Sequence, residues 1–214
     1  MSFADAYKLA YDKKVIGGDL MTNSNQKVKA WLFSLPPVQS CLNSKSCEND
    51  CYALKAYKQY PSAKALWDYN FYLVQNDLDL LFERLDKQLA KIAKSKLKVV
   101  RIHQSGDFYS QEYIDVWRRL AKKYSGIQFY GYTKVNEILD LTQFEKLDNV
   151  SIVKSLVAGK YRNYGSVAYV ERMSPKHNAV ICPATYGENK KEIKCNLHCN
   201  ACTKKNTNVF FVQH

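Results

Sequence analysis

The chain reads as an α/β protein, either a complete or partial (β/α) barrel or an open doubly wound sheet. Three observations lead there. Apolar, β-branched and aromatic runs at 97–104, 127–134 and 149–156 alternate with helical patterns of about a dozen residues, as consecutive βαβ units around a parallel sheet do. A further apolar run at 28–37 precedes them and is closed by Pro36 and Pro37. Past Leu156 the alternation loosens into short strands at 166–172, 178–184 and 208–214 with no long helix between them. Barrels and open sheets alike place their chemistry in the loops that follow the carboxyl ends of strands.

The elements follow in order. The run 28–37, VKAWLFSLPP, suits a buried strand that empties into a loop carrying Cys41, Cys47 and Cys51. From Tyr52 the chain turns helical, breaks at Pro61, and resumes through AKALWDYNFYLVQ. The stretch 77–94 places Leu78, Leu81, Leu85, Leu89 and Ile92 three or four residues apart, an amphipathic helix with its apolar stripe turned inward. LKVVRIHQ is then a strand, SGDF a turn and SQEYIDVWRRLAKKY a helix. IQFYGYTK is a strand, NEILDLTQFEKL a helix over 136–147 and NVSIVKSL a strand.

A chain of 214 residues buries one substantial core, and nothing in its composition suggests two. A single domain, 1–214, is expected, made of a βα core at 28–156 and a cysteine-rich segment at 157–214. There is no internal repeat, low-complexity run or Gly/Ser linker. MSFADAYKLAYDKK lacks an apolar signal region, and no segment approaches the roughly 20 apolar residues of a membrane span, so no membrane contact and a cytoplasmic location are expected.

Seven cysteines in a reducing compartment, an odd number, argue against a disulfide framework and for metal or cluster ligation. The net charge of +12 suits a basic solvated surface or an anionic partner such as nucleic acid. Residues 151–214 hold ten Lys or Arg against three Glu. Lys190, Lys191, Lys194, Lys204 and Lys205 there would partly offset a thiolate centre, which weakens the charge as an argument for nucleic acid.

The C-terminal group is Cys182, Cys195, Cys199 and Cys202. Its tail, Cys-x3-Cys-x2-Cys, lets three sulfurs converge from one loop, and Cys182 adds a fourth from the preceding strand. Four thiolates suit tetrahedral zinc or a [4Fe-4S] cluster; the lopsided spacing with one remote ligand favours the cluster. His198 inside the motif reads as a supporting donor or an exposed residue. The N-terminal group places three thiols within eleven residues, in a polar loop where buried core cysteines are not expected. Three thiolates on a [4Fe-4S] cluster leave one iron open to a substrate or cofactor. One cluster drawing on both groups is also compatible with the sequence.

Cys47-x3-Cys51 followed by Tyr52, between the first strand and first helix, resembles the Cys-x3-Cys-aromatic-x-Cys motif of radical S-adenosylmethionine (SAM) enzymes. Leu54 stands where that family keeps its third cysteine, and Cys41 is the candidate replacement. The resemblance implies a partial barrel, with Ser105, Gly106 and Asp107 of SGDF in the turn that receives the amino group of SAM. Glycine permits close approach and a carboxylate pairs with ammonium, whereas an ordinary βα turn would use Asp107 or Ser110 to cap the next helix.

Over nearly its whole length the chain is similar to the bacteriophage gene product 88 family. The cysteine loop ending in CYA, SGDF with EYIDVW after it, YTK on the next strand, and CPATYG before the closely spaced cysteines carry that likeness. It implies a phage iron-sulfur protein acting in the bacterial host cell, with an unknown substrate.

Strand alternation sets Arg101, His103 and Ser105 on one face and Val100 and Ile102 on the other; in a barrel the first face is the interior. His103 is then a pocket residue or a satisfied structural histidine. Tyr130, Tyr132 and Lys134 follow the same alternation, and Lys134 could meet a carboxylate or phosphate or be merely solvated. No nucleophile elbow, phosphate-binding glycine loop or dinucleotide fingerprint is present. Three functions remain: a radical-SAM-like enzyme, a cluster-bearing structural or redox-sensing protein without catalysis, and a zinc-stabilised basic nucleic-acid-binding module.

Overall fold

Eight strands form one sheet in a computed structural model that describes residues 17–156, 167–171, 179–185 and 192–212, with residues 5, 8 and 15. In chain order the elements are β1 (Met21–Asn23), β2 (Trp31–Phe33), α1 (Tyr52–Gln59), α2 (Pro61–Asn76), α3 (Leu78–Ala93), β3 (Val99–Ile102) and α4 (Gln111–Lys123). Then follow β4 (Gln128–Thr133), α5 (Thr142–Glu145), β5 (Val150–Leu156), β6 (Val167–Glu171), β7 (Val180–Ile181) and β8 (Val209–Val212). The sheet order is β1-β2-β3-β4-β5-β6-β8-β7, and every pairing is parallel except β1 with β2.

Strands β2 to β6 lie side by side in chain order. Right-handed crossovers between strands laid down in that order send their connections to a single face. The packing agrees. Phe33, Val100, Ile102, Phe129, Val150 and Ile152 share a core with Leu81, Leu85, Leu89 and Ile92 of α3 and with Tyr113, Val116, Trp117 and Leu120 of α4. Burying each such side chain contributes about 1.5–3 kcal/mol. The helical face of the sheet is therefore closed.

The opposite face carries Leu32, Arg101, Tyr130 and Ser151 in one register row. No helix covers it. Val28, Ala30, Leu32 and Tyr130 pack instead against Cys195 and Cys202 of the C-terminal segment. Polar ties hold that segment down: Cys195 and the 27–29 backbone exchange N–H···O bonds, and Ser151 Oγ donates to the Cys202 and Lys204 carbonyls.

Several sequence expectations are corrected. The described strands do not close a barrel, since β1 and β7 lie at opposite edges. Nor is the sheet doubly wound among the described residues, because α3, α4 and α5 share one face. The strand expected from Val28 begins at Trp31, and β1 is an unexpected antiparallel edge, bound at both its Met21 N–H and C=O by the Gln88 amide (3.0 and 2.9 Å). The helix expected over 136–147 shrinks to Thr142–Glu145. Asp140 causes this: its Oδ1 accepts the Thr142 N–H at 2.8 Å, an Asx turn competing with helix propagation. The expected break at Pro61 is present, with Pro61 opening α2 behind an extended Tyr60.

Candidate metal centres

The N-terminal cysteine loop springs from the carboxyl end of β2. Val38 takes a left-handed φ of +68°, Ser40 Oγ donates to the Pro36 carbonyl at 2.6 Å, and the Cys41 N–H donates to the Val38 carbonyl at 3.1 Å. Two single 3-10 turns, Ser44–Ser46 and Glu48–Asp50, compact the stretch before Cys51 precedes α1. Cys41, Cys47 and Cys51 are all free and partly buried. Burial, then the nearby Asp107 carboxylate, pushes the Cys41 thiol up to about 11, and Cys47 and Cys51 add to the rise. All three thiols therefore stand in one neighbourhood.

The SGDF turn meets this loop. Gln104 N–H donates to the Phe33 carbonyl and Leu35 N–H to the Ser105 carbonyl, each at 2.9 Å. Tyr52 OH reaches the Gln104 carbonyl, and Asn43 Nδ2 the Lys134 carbonyl at 3.1 Å. Gly106 has a φ of +85°, and a Cβ there would lie 2.5 Å from Ser40 Oγ and 2.6 Å from Leu35 Cβ. Its freedom is used to seat the cysteine loop.

Asp107 is turned into the protein. Its Oδ1 accepts from Thr133 Oγ1 (2.7 Å) and Phe108 N–H (2.8 Å), and its Oδ2 from Lys134 N–H (2.8 Å). It thereby staples the β3 turn to the end of β4. Burial raises its pKa to about 6 despite those donors. The helix cap falls to Ser110, whose Oγ accepts the Tyr113 N–H at 3.2 Å. Ser105 Oγ is buried without a hydrogen-bond partner.

Alternation fails at His103, which takes a left-handed φ of +59°. The turn swings the imidazole away from Arg101 to the helical face, among Phe33, Phe108 and Tyr113, with Nε2 2.8 Å from Tyr113 OH. Burial first, then the Arg101 charge, lowers its pKa to about 3, so the ring is neutral. His103 is a core residue, and the expectation of a shared face with Arg101 is corrected.

The second group gathers on the uncovered face. Cys182, Cys195, Cys199 and Cys202 line one cavity. Arg101, Tyr130 and Tyr132 form its wall on the sheet. Tyr130 OH accepts from Asn196 Nδ2 at 3.1 Å, and Tyr132 hydrogen-bonds to Cys202. The Arg101 guanidinium lies 5.1 Å from the Tyr132 ring centroid, and Nη2 is 3.5 Å from Tyr52 OH. Burial pushes Cys202 up to about 11 and raises Cys182 and Cys195, so these thiols hold their protons until something displaces them.

Of the lysines expected to offset this centre, Lys190 and Lys191 lie outside the described residues. Lys205 Nζ donates to the Glu145 carbonyl at 3.0 Å, away from the thiols. His198 is exposed and its Nδ1 accepts the Lys194 N–H at 3.1 Å. The cation in the cavity wall is Arg101. Sequence alternation separates it from Val100 and Ile102 but gives no sign that the C-terminal cysteines settle against it.

As the chain lies, no three His, Cys, Asp or Glu side chains among the described residues converge to hold a metal ion. Each cysteine group is gathered without being drawn onto one point. In donor chemistry both offer free sulfur ligands of the kind a thiophilic metal or an iron-sulfur cluster takes, and the C-terminal group adds a cavity and an adjacent cation.

Fold and cysteines together define a singly wound parallel α/β protein with a thiol loop at the carboxyl end of its sheet and a four-thiol segment across its open face. The profile of the family described as Gene product 88 matches residues 6–213, and the chain belongs to that family. It is 27% identical to the Gene 88 protein of Mycobacterium phage D29 over 188 residues, 77% of this chain and 78% of that one. Against the Gene 88 protein of Mycobacterium phage L5 the figures are 28% over 190 residues, 77% and 78%. No solved structure matches.

Proposed function

We propose that this chain is a phage iron-sulfur protein with two cysteine centres. Cys41, Cys47 and Cys51 would hold a [4Fe-4S] cluster with one open iron; Cys182, Cys195, Cys199 and Cys202 would hold a second cluster, or zinc. The observation that carries the reading is the placement of Cys182, from the end of β7, in the same cavity as three cysteines that follow it by 13 to 20 residues. The N-terminal loop adds three partly buried free thiols where open α/β sheets keep their sites.

The finer reading is a radical-SAM-like partial barrel. A bound three-thiolate cluster supplies an electron and an open coordination position. The chain's own residues would bind and enclose the partner: Ser105 offers an unpaired hydroxyl, while Asp107 and Gly106 fix the turn against the cysteine loop. Because Asp107 is engaged by Thr133 and Lys134, no ammonium contact is assigned to it.

Leu54 favours a second reading, in which the clusters serve a structural or redox-sensing role without catalysis. It sits in the first turn of α1, its N–H bonded to the Cys51 carbonyl at 3.1 Å, and offers no third cysteine there. The two readings separate on reduction of the cluster-loaded protein with SAM. Release of 5′-deoxyadenosine supports the enzyme; a loaded, reduced protein that neither binds nor cleaves SAM supports the sensing role.

A further inference from the structure

Arg101 is partly buried in the cavity wall, with no anion beside it among the described residues. Its Nε is buried with no hydrogen-bond partner. Among the described residues no carboxylate pairs with it. Its neighbours are the phenols of Tyr52, Tyr130 and Tyr132 and the thiol of Cys195. Burying part of a cation without a counter-charge is costly, and an anion in the cavity would offset that cost.

The cavity it faces supplies that anion. Four neutral thiols carry no charge, but four thiolates around a zinc ion leave a doubly negative centre, as do four thiolates around a [4Fe-4S] core of charge 2+. The argument therefore does not depend on which metal binds. We infer that Arg101 is the built-in counter-charge of an anionic four-thiolate centre on Cys182, Cys195, Cys199 and Cys202. This rests on reading that cavity as a metal centre. Arg101 acts through the ligands rather than as one of them, positioned by the Tyr132 ring on one side and Tyr52 OH on the other.

A second consequence follows from Tyr52, which is the residue after Cys51. The same guanidinium touches the start of α1 and the wall of the C-terminal cavity, so it ties the two cysteine groups through one side chain.

The test uses the full chain, purified anaerobically in a Cys41→Ala background so that the metal counted belongs to the C-terminal group. Arg101→Gln, Arg101→Lys and Cys199→Ser are compared for metal release to EDTA. Loss of a residue that supports metal ligands typically costs ten- to a hundredfold in affinity, so Arg101→Gln should release metal about ten times faster or more. Arg101→Lys, which keeps the charge, should stay within a few fold of the parent, and Cys199→Ser should fail to retain the metal.

Melting of the chelator-treated protein separates a counter-charge from a packing residue. With the anion gone, Arg101 is a partly buried cation with no counter-charge among the described residues, and Arg101→Gln should melt no lower than the parent. Equal release rates in the parent and Arg101→Gln overturn the inference, as does a metal-free Arg101→Gln that melts well below its parent. A parent that carries metal with unaltered retention on losing Arg101 defeats this inference alone; a parent with no metal at all defeats the metal-centre reading and the inference with it.

Discussion

Gly106→Ala tests how the cysteine loop is seated. At φ +85° an alanine enters the left-handed region at a cost of about 1–2 kcal/mol. Its Cβ also arrives 2.5 Å from Ser40 Oγ, 2.6 Å from Leu35 Cβ and 3.3 Å from Leu35 Cα. Ser40 Oγ can rotate, but Leu35 Cβ is fixed to its backbone, so the loop itself must shift; overpacking of this kind adds about 1–3 kcal/mol. The expected loss is about 2–5 kcal/mol. For a chain of this size, 1 kcal/mol moves the melting temperature by about 2–4 °C, which predicts a fall of roughly 4–20 °C.

Gly17→Ala is the control, because Gly17 has nearly the same φ, +82°, with nothing within 4 Å of the added methyl. It should lose only the conformational share. Thermal and urea unfolding followed by circular dichroism measures both. If Gly106→Ala is no worse than Gly17→Ala, the glycine is not holding the loop, and its use for ligand approach regains its claim.

Two further outcomes follow from the same turn and loop. Asp107 has a pKa of about 6 in the folded protein against an ordinary 3.8, so its contribution to stability is fully present below about pH 4 and is lost as the pH rises through 6. The difference corresponds to roughly 3 kcal/mol; urea unfolding from pH 4 to 7 should show wild type losing that much relative to Asp107→Asn, and a difference flat with pH would contradict the burial argument. Cys41→Ala should strip the N-terminal cluster, and adding Leu54→Cys should restore its absorbance by completing the Cys-x3-Cys-x2-Cys spacing; an undiminished cluster in Cys41→Ala shows that Cys41 is not a ligand.

Much of the sheet was legible because β3, β4 and β5 are apolar runs set between helical patterns, with burial alternating along β3, and α3 because its leucines repeat with the helical turn. The short edge β1 was not. Its three residues, Met-Thr-Asn, carry no strand pattern, and what fixes them is Gln88, 67 residues away. Likewise, local alternation correctly sets Arg101 on the face opposite Val100 and Ile102 but cannot foresee the left-handed turn that reverses His103 two residues later. The cysteines were legible as two groups, since their grouping shows in spacing alone. Their surroundings were not: Asp107 is claimed by Thr133 and Lys134 across 26 and 27 residues, and Arg101 is met by a segment almost a hundred residues further on. Long-range pairings of this kind depend on the folded topology rather than on any local signal.

The most direct test of the two-centre claim is iron, sulfide and zinc analysis of the anaerobically purified chain beside Cys41→Ala and Cys182→Ala. The account predicts a wild type that carries about four irons and four sulfides for each cluster. Cys41→Ala should lose the N-terminal share alone, and Cys182→Ala the C-terminal share, whether that is iron or zinc. A wild type with neither iron nor zinc, or one whose metal survives both substitutions unchanged, would contradict it.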